Sequence, residues 1–396
     1  MKRNWYRNLE VKTILTAENK HTKHNKIERR VSGTYGATEI VFVGAPCGKI
    51  QDLSRSIIQA VSKNYEVSYV DADHGSFENP QKADFLEQGA SMFLSDKQSS
   101  VRITKSPLLN SIDAKLAFNE CDLALVNGNH FQGEFQIVML DSGKLKSLEK
   151  RVDQLTNVIA VIKVDDIAMP DFLIDALPTI EDLPIISYTD TNRIVELVSN
   201  KLAERKPKLN ALILAGGKST RMGEDKATLT YDNQRQVDRL LALLQSKVAD
   251  VYVSCRREQN LDVKASKIYD RMENMGPLGA ITTAFRENPN AAWLVVACDL
   301  PMLDSAVLDQ LIASRSQKHT ATAFLNHETG FAEPLITIWE PKSYMRMLQF
   351  EALGFTCPRK VLINSNTLLL KPENPEKLFN VNTPKDFEVA TKALEQ

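Results

Sequence analysis

Long hydrophobic runs are missing from this chain of 396 residues. A membrane-spanning helix needs roughly 20 consecutive apolar residues, and no stretch of the chain approaches that length. The first thirty residues are rich in Lys, Arg, Asn and His and contain no apolar signal core. We therefore expect a cytoplasmic protein that does not contact a membrane.

Cysteine is scarce and follows no pairing pattern. The chain has 5 cysteines, which is an odd number, and no CxxC pair. Both facts disfavour a disulfide framework and a zinc site. Cys121, Cys255 and Cys298 each lie at or beside an apolar, strand-like run. We predict buried, reduced thiols.

An excess of charge of one sign is also absent. Lys and Arg number 49 against 50 Asp and Glu, which leaves a net charge of -1. This balance argues against a protein that coats nucleic acid or an anionic membrane, so no nucleic-acid partner is expected. A local basic pocket for a phosphate ligand is still compatible with it.

What the chain does contain is two series of short apolar strands separated by helix-like stretches. The first series runs from EIVFVGA at 39–45 to PIISY at 184–188, and the second from ALILAGG at 211–217 to PLITIW at 334–339. This pattern predicts an α/β protein whose sheets are mostly parallel and flanked by helices. A charged stretch at about 200–210 separates the series. We predict a polar lead-in and two domains, at 1–37, 38–205 and 208–396.

A glycine loop, GAPCGK, follows the first strand and enters a probable helix, which is the context of a phosphate-binding loop. Only three residues separate Gly44 from Gly48, where the motif has four. Pro46 removes one N–H donor, and Ile50 supplies no hydroxyl for a metal. The sequence thus predicts a strand-to-helix turn without NTP hydrolysis, with weak phosphate or pterin binding as the alternative.

This first half resembles the P-loop partner in molybdenum cofactor biosynthesis, the MobB family, over roughly 38–205. The resemblance rests on the GAPCGK loop and on the run DLALVNGN that begins at Asp122. Asn127 stands where that family has an acidic residue, so the resemblance implies a degenerate P-loop domain. Such a domain could dock a partner or present a substrate.

A second glycine loop is intact and follows the strand ALIL. It reads LAGGKSTRMGEDK from Leu214 to Lys226. Its glycines let the backbone approach a ligand closely. Arg221 can bind two phosphate oxygens at once, and Lys226 adds a positive point charge. Together these residues predict a cradle for a polyphosphate that leaves as pyrophosphate.

This second half resembles the molybdenum cofactor guanylyltransferases, the MobA-like nucleotidyltransferases, over about 209–390. The resemblance implies a Rossmann-like nucleotidyltransferase fold. It rests on the second glycine loop together with GPLG at 276–279, CDLP ending at Pro301, EPL at 333–335 and NVNTP ending at Pro384.

The resemblance also implies roles for individual residues. The catalytic set would be Arg221, Lys226 and Asp299, with Asp299 as the ligand of Mg²⁺. The nucleotide would contact Leu214, Ala215, Gly216, Gly217, Lys226, Ser254, Asp270, Gly276 and Asp299. The pterin would contact Arg359, Lys360, Asn380 and Asn382.

Structural alternatives exist for several of these residues. Asp299 ends an apolar strand, where a carboxylate is costly unless it lies at the sheet's open edge or binds a cation. It could instead cap a helix ahead of Pro301. Asp270 could cap a loop, and Asn382 could simply neighbour a helix cap. Arg359 and Lys360 could be surface charges.

The sequence departs from the family pattern at two places. A Gly-containing turn is replaced by DNQRQ, which begins at Asp232, and an Asn after the second strand of this half is replaced by Ser254. The Ser254 side chain is shorter than Asn and reaches less far, so the sequence does not decide whether it contacts the nucleotide. Arg256 and Arg257 follow it and are expected to face solvent, with phosphate as the alternative.

The resemblance implies guanylyl transfer from GTP to molybdenum-bound molybdopterin, with Mg²⁺ as cofactor. The product would be molybdopterin guanine dinucleotide, with release of pyrophosphate. Alternatives are cytidylyl transfer to the same pterin and a sugar-1-phosphate nucleotidyltransferase. A third is a non-catalytic scaffold that delivers the cofactor to a molybdoenzyme or its chaperone. The second glycine, Gly217, favours GTP because cytidylyl relatives tend to carry LAAG.

Overall fold

The computed structural model describes most of the chain, namely residues 34–72, 88–96, 100–105, 110–217, 226–259, 261–272, 275–326 and 329–395. Most of the predicted polar lead-in and the site residue Arg221 lie outside these ranges. Among the helices of the described ranges, none is long and apolar enough to cross a membrane.

The first half forms a six-stranded, fully parallel sheet in the order β2-β5-β1-β6-β7-β8. These strands are β1 (Thr38–Val43), β2 (Val67–Val70), β5 (Leu123–Asn127), β6 (Phe135–Leu140), β7 (Val158–Lys163) and β8 (Ile185–Ser187). A separate hairpin consists of β3 (Met92–Asp96) and β4 (Val101–Lys105). The helices are α1 (Cys47–Val61), α2 (Ser111–Ala117), α3 (Leu145–Glu149), α4 (Asp171–Ala176) and α5 (Thr191–Glu204).

The second half forms a seven-stranded sheet in the order β13-β12-β9-β14-β16-β15-β17, in which only β16 runs antiparallel. Its strands are β9 (Leu209–Leu214), β12 (Val251–Cys255), β13 (Ser266–Tyr269), β14 (Ala292–Ala297), β15 (Ala321–Leu325), β16 (Ala332–Trp339) and β17 (Thr367–Leu370). The helices are α6 (Gln236–Gln245), α7 (Gly276–Glu287), α8 (Ser305–Ala313), α9 (Ser343–Ala352), α10 (Pro358–Ile363) and α11 (Pro384–Leu394).

Helices cover both faces of the second sheet, which explains why its strands are almost continuously apolar. On β9, Ala211 and Ile213 belong to one core cluster, whereas Leu212 belongs to the cluster on the opposite face. Every residue of β14 is buried. Because successive side chains of a strand point to opposite faces, a strand buried on both sides needs apolar residues at every position. The predicted α/β class, with mostly parallel sheets flanked by helices, is confirmed.

A tight turn occupies the place where the sequence departs from the family's Gly-containing turn. Asp232 and Asn233 have φ values of 46° and 57°. They connect the two-residue strands β10 (Thr230–Tyr231) and β11 (Gln234–Arg235), which pair antiparallel. Asp and Asn tolerate positive φ better than other side-chain-bearing residues, so this hairpin forms without glycine. It leads directly into α6.

Candidate active site

The carboxyl ends of β9, β12 and β14 lie side by side in the second sheet. Leu214 pairs with Ser254 on one side and with Ala297 on the other. The glycine loop follows Leu214, and Asp299 follows β14 by two residues. Parallel strands therefore bring the loop and this carboxylate to the same edge, where ligands bind in open α/β sheets.

The Asp299 carboxylate at this edge is enclosed, with 13% of its side chain exposed. Burial raises its pKa, and the positive charge of Lys226 acts in the opposite direction. The Lys226 Nζ atom lies 3.6 Å from Asp299 Oδ2. The N-cap of α8 is Asp304. The alternative in which Asp299 caps that helix is therefore wrong.

Two asparagines contact the Lys226–Asp299 pair, one on each member. In the amide orientation that satisfies its surroundings, Asn380 donates to Asp299 Oδ1 at 3.0 Å and to Oδ2 at 2.8 Å. Lys226 Nζ donates to Asn382 Oδ1 at 2.9 Å. The fold thus brings together three distant segments of the chain, which carry Lys226, Asp299, and the asparagines Asn380 and Asn382.

The turn that carries both asparagines is fixed from two sides. The Val381 N–H donates to the Asp299 carbonyl at 2.8 Å. Thr383 caps α11 in a capping box with Asp386, and Asp386 also accepts the Asn382 N–H at 3.0 Å. Asn382 is therefore both the neighbour of a helix cap and a member of the Asp299 cluster.

The start of the glycine loop is held by backbone and side-chain hydrogen bonds. The Ala215 N–H donates to the Ser254 carbonyl at 2.9 Å. Gln259 Nε2 donates to the Ala215 carbonyl at 2.9 Å, and its Oε1 accepts the Arg256 N–H at 3.2 Å. Sequence reasoning missed Gln259, because a polar residue in a loop carries no signal until the neighbouring strand is placed.

The two glycines after Ala215 differ in their surroundings. A Cβ on Gly216 would be in ordinary contact with Arg256 and Cys255, with 3.6 Å to the nearest atoms, whereas a Cβ on Gly217 would meet nothing within 4 Å. Among the described residues, Gly217 therefore has no neighbour that an added Cβ would contact. The remainder of the loop, 218–225, lies outside the described residues.

The other predicted nucleotide contacts lie along the ends of β12 and β13. Ser254 is 2% exposed and sits within β12. Asp270 accepts the Met272 N–H at 3.2 Å, so it caps a loop as one alternative predicted, and burial raises its pKa. Gly276 begins α7 with a φ of 57°. Whether these residues contact a nucleotide stays a prediction.

The two arginines that follow Ser254 differ from each other. Arg256 is half-buried and its Nε atom is buried, so this side chain faces solvent only in part. Arg257 is exposed, as expected, and its guanidinium lies 5.9 Å from the centre of the Tyr269 ring.

The two predicted pterin contacts from α10 have partners within the chain. Arg359 Nη2 lies 3.8 Å from Glu333 Oε2, and the Lys360 Nζ atom lies 4.3 Å from the centre of the Phe355 ring. The negative charge of Glu333 contributes to the raised pKa of Asp299. Arg359 is therefore linked to the Asp299 cluster through Glu333, whereas no contact links Lys360 to it among the contacts described.

The first glycine loop keeps a glycine-specific backbone turn, but its charged side chain is paired within the chain. Gly44 has a φ of 104°, and a Cβ there would lie 2.6 Å from the Met139 carbonyl oxygen, so the position requires glycine. Lys49 Nζ donates to Asp141 Oδ2 at 2.8 Å. Ile50 is 0% exposed and packs in the core. The loop lysine is therefore paired, and the next side chain faces away from the loop.

We expect no steady NTP hydrolysis from the first loop, because Lys49 is paired and no hydroxyl follows it. Phosphate release from ATP and GTP should be measured with the full chain and Mg²⁺. Comparing Lys49→Ala with Asp299→Ala assigns any residual turnover to one loop or the other. Turnover abolished by Lys49→Ala and retained in Asp299→Ala would contradict this prediction.

An open, mostly parallel sheet with a glycine loop and a Lys–Asp pair at its carboxyl edge has the features of a nucleotide-binding α/β domain. Residues 211–366 match the family model described as MobA-like NTP transferase domain. The chain is therefore a nucleotidyltransferase of the MobA type in its second half.

Individual relatives agree with this class. The chain is 30% identical over 187 residues to a probable molybdenum cofactor guanylyltransferase of Carboxydothermus hydrogenoformans, covering 46% of this chain and 93% of that protein. It is 32% identical over 198 residues to a molybdenum cofactor biosynthesis bifunctional protein of Synechocystis, covering 49% of this chain and 57% of the relative. The match thus spans little more than half of that bifunctional protein.

A solved structure of Molybdopterin-guanine dinucleotide biosynthesis protein A from Archaeoglobus fulgidus is 20% identical, covers 47% of this chain and 98% of its own, and has a TM-score of 0.40. The sequence identity to the Carboxydothermus protein over nearly its whole length decides the family. The chain belongs to the molybdenum cofactor guanylyltransferase family.

Proposed function

We propose that this protein transfers a guanylyl group from GTP to molybdenum-bound molybdopterin, giving molybdopterin guanine dinucleotide and pyrophosphate. The observation that carries the proposal is the cluster of Lys226, Asp299, Asn380 and Asn382 beside the glycine loop. Family membership and the names of the relatives supply the nucleotide and the acceptor.

Mg²⁺ fits this donor set. The described residues hold no group of three His, Cys, Asp or Glu side chains suited to a metal. Mg²⁺ needs only one or two carboxylates, because phosphates and waters complete its shell. Asp299 would hold the ion, with the Asn382 Oδ1 atom as a nearby hard oxygen, whereas the Asn380 amide nitrogen donates to the Asp299 carboxylate and would orient it. When bound, the ion would offset charge on the phosphate oxygens.

The residues of the chain then act mainly by positioning and by charge. The terminal phosphate of the pterin is already anionic, so its attack on the α-phosphorus of GTP requires no strong general base. Lys226, together with Arg221 from the loop, would stabilise the departing pyrophosphate. Gln259 and Ser254 hold the Ala215 backbone, which keeps the start of the loop in one position for the base.

The direct test is product analysis by mass spectrometry. Purified protein should be incubated with Mg²⁺, molybdenum-bound molybdopterin and equal concentrations of GTP and CTP. We expect the guanine dinucleotide to predominate, because a site that hydrogen-bonds guanine leaves polar groups unpaired with cytosine. A mainly cytosine product would show a cytidylyltransferase, and absence of either product would contradict the proposal.

The Gly217→Ala variant should reduce GTP use more than CTP use. Among the described residues, no atom lies within 4 Å of the added methyl group, so we expect a selective loss to arise from the bound nucleotide. Gly48→Ala in the first loop is the matched control, since a Cβ there is equally free of contacts. An equal loss with both nucleotides would place the effect at the phosphates instead of the base.

A further inference from the structure

The two halves of the molecule contact each other through the amino ends of their strands. Lys318 precedes β15 and donates to the carbonyl of Ser62, which lies before β2, at 2.6 Å. Asn119 precedes β5, and its amide donates to the carbonyl of Lys342, which follows the antiparallel β16, at 2.9 Å. In each half, these positions lie at the edge of the sheet where the parallel strands begin, which we call the amino edge.

A buried cation forms the centre of this interface. Lys342 Nζ lies 2.7 Å from Asp122 Oδ1, with side-chain exposures of 7% and 9%. The same ammonium group donates to the Glu120 carbonyl at 2.9 Å and lies 3.4 Å from the Lys318 carbonyl. Asp122 also accepts the Glu66 N–H at 2.8 Å. The ion pair is therefore enclosed and hydrogen-bonded on both sides, unlike an exposed surface pair.

The connecting segment is fixed at the same edge. Arg315 Nη2 donates to the Pro207 carbonyl at 3.0 Å. Arg315 also pairs with Glu340 at 2.6 Å, and the two side chains are 5% and 1% exposed. Pro207 lies between α5 and β9, so the link between the halves is anchored to the second sheet.

This arrangement sets the two carboxyl edges at opposite ends of the molecule. The first glycine loop follows β1, and Asp299 follows β14, each at the edge away from the interface. The strands β1 and β9 have 6 residues each. At about 3.3 Å per residue, each strand spans about 20 Å, so two sheets that meet at their amino edges and extend in opposite directions hold their carboxyl edges about 40 Å apart.

We propose that the two halves are joined back to back through Lys342, so that the carboxyl edge of the first half cannot serve Asp299 of the same chain. A pterin or phosphate ligand bound at the first glycine loop would have to dissociate before it reached Asp299, or be used by another molecule. The first half would then not act as a presenting module for its own second half.

Distance measurement by pulsed electron paramagnetic resonance tests the arrangement without any assumption about activity. Spin labels on genetically encoded amino acids should be placed at Lys144 and Glu258, two exposed positions after β6 and β12 at the two carboxyl edges. We expect one population at about 40 Å or more. A main population below about 25 Å would overturn the proposal.

A matched pair of substitutions tests the functional consequence, and this second test rests on the proposed guanylyl transfer. Gly48→Leu and Gly217→Leu place the same side chain at two loop positions where a Cβ would meet no atom of the described residues within 4 Å. We expect Gly48→Leu to keep kcat/KM within about twofold and Gly217→Leu to lower it about tenfold or more.

The outcomes of the two tests are separable. A comparable loss in Gly48→Leu, with its unfolding temperature unchanged, would overturn the proposal. Unchanged activity in both variants would support independence of the halves while contradicting the nucleotide role of the second loop. If the wild-type protein forms no dinucleotide, the proposed function fails and the distance measurement alone decides the arrangement.

Discussion

Replacement of Asp299 by alanine should lower guanylyl transfer about 100-fold or more, since several kcal/mol of charge stabilisation depend on the metal-holding carboxylate. The side chain is 13% exposed and lies 3.6 Å from Lys226. We expect kcat to fall rather than KM to rise alone, because the interaction strengthens as charge develops on the phosphates. Turnover should be followed by release of pyrophosphate.

The fold should survive this substitution. Because burial raises the pKa of Asp299, its charged form costs stability at neutral pH, and its loss should not lower the unfolding temperature. This stability cost should vanish when the pH falls below the ordinary pKa of the carboxyl, about 3.9. Asp309→Ala is the matched control, since Asp309 is an exposed carboxylate of α8 that pairs with Lys247. Near-normal turnover in Asp299→Ala would refute the metal assignment.

Replacement of Lys342 by methionine should destabilise the protein by about 3–5 kcal/mol, because it leaves the buried Asp122 carboxylate without its cation. It also removes the donor to the Glu120 carbonyl. Urea unfolding should be followed by the fluorescence of Trp293 and Trp339, which are 0% exposed in the second sheet. The same substitution at Lys377, whose pair with Asp304 is partly exposed, should cost less than about 1 kcal/mol.

The deficit of Lys342→Met should depend on pH. Burial raises the pKa of Asp122, and Lys342 opposes this increase. A raised folded-state pKa means that stability is lost as the pH rises through it. The difference between variant and wild type should therefore be largest at neutral pH and shrink as the pH falls toward about 4. A small, pH-independent difference would show that the ion pair does not hold the interface.

Local sequence patterns were sufficient for the elements and for part of the candidate site. Apolar runs predicted β1, β9 and β14, since strands covered on both faces must be apolar throughout. Asp299 was identified as a carboxylate at the end of such a strand. The glycine loop was identified by its position directly after β9. Each of these signals comes from a few adjacent residues.

Other features of the site depend on strand order. Lys226 and Asn382 are 156 positions apart, yet they share a hydrogen bond because α11 returns to the carboxyl edge. The contact of Gln259 with Ala215 exists because β12 lies beside β9. The motif resemblance could name the two asparagines as candidates, but their contacts with Lys226 and Asp299 required the tertiary structure.

The sequence by itself determined the α/β class, the two glycine loops and the carboxylate at the end of β14, because periodicity and short motifs are local properties. Only the tertiary structure decided that Lys342 pairs with Asp122 and that the two sheets meet at their amino edges. The physical reason is that long-range pairing depends on how whole elements pack. No local pattern around Lys342 distinguishes a buried cation from an exposed one.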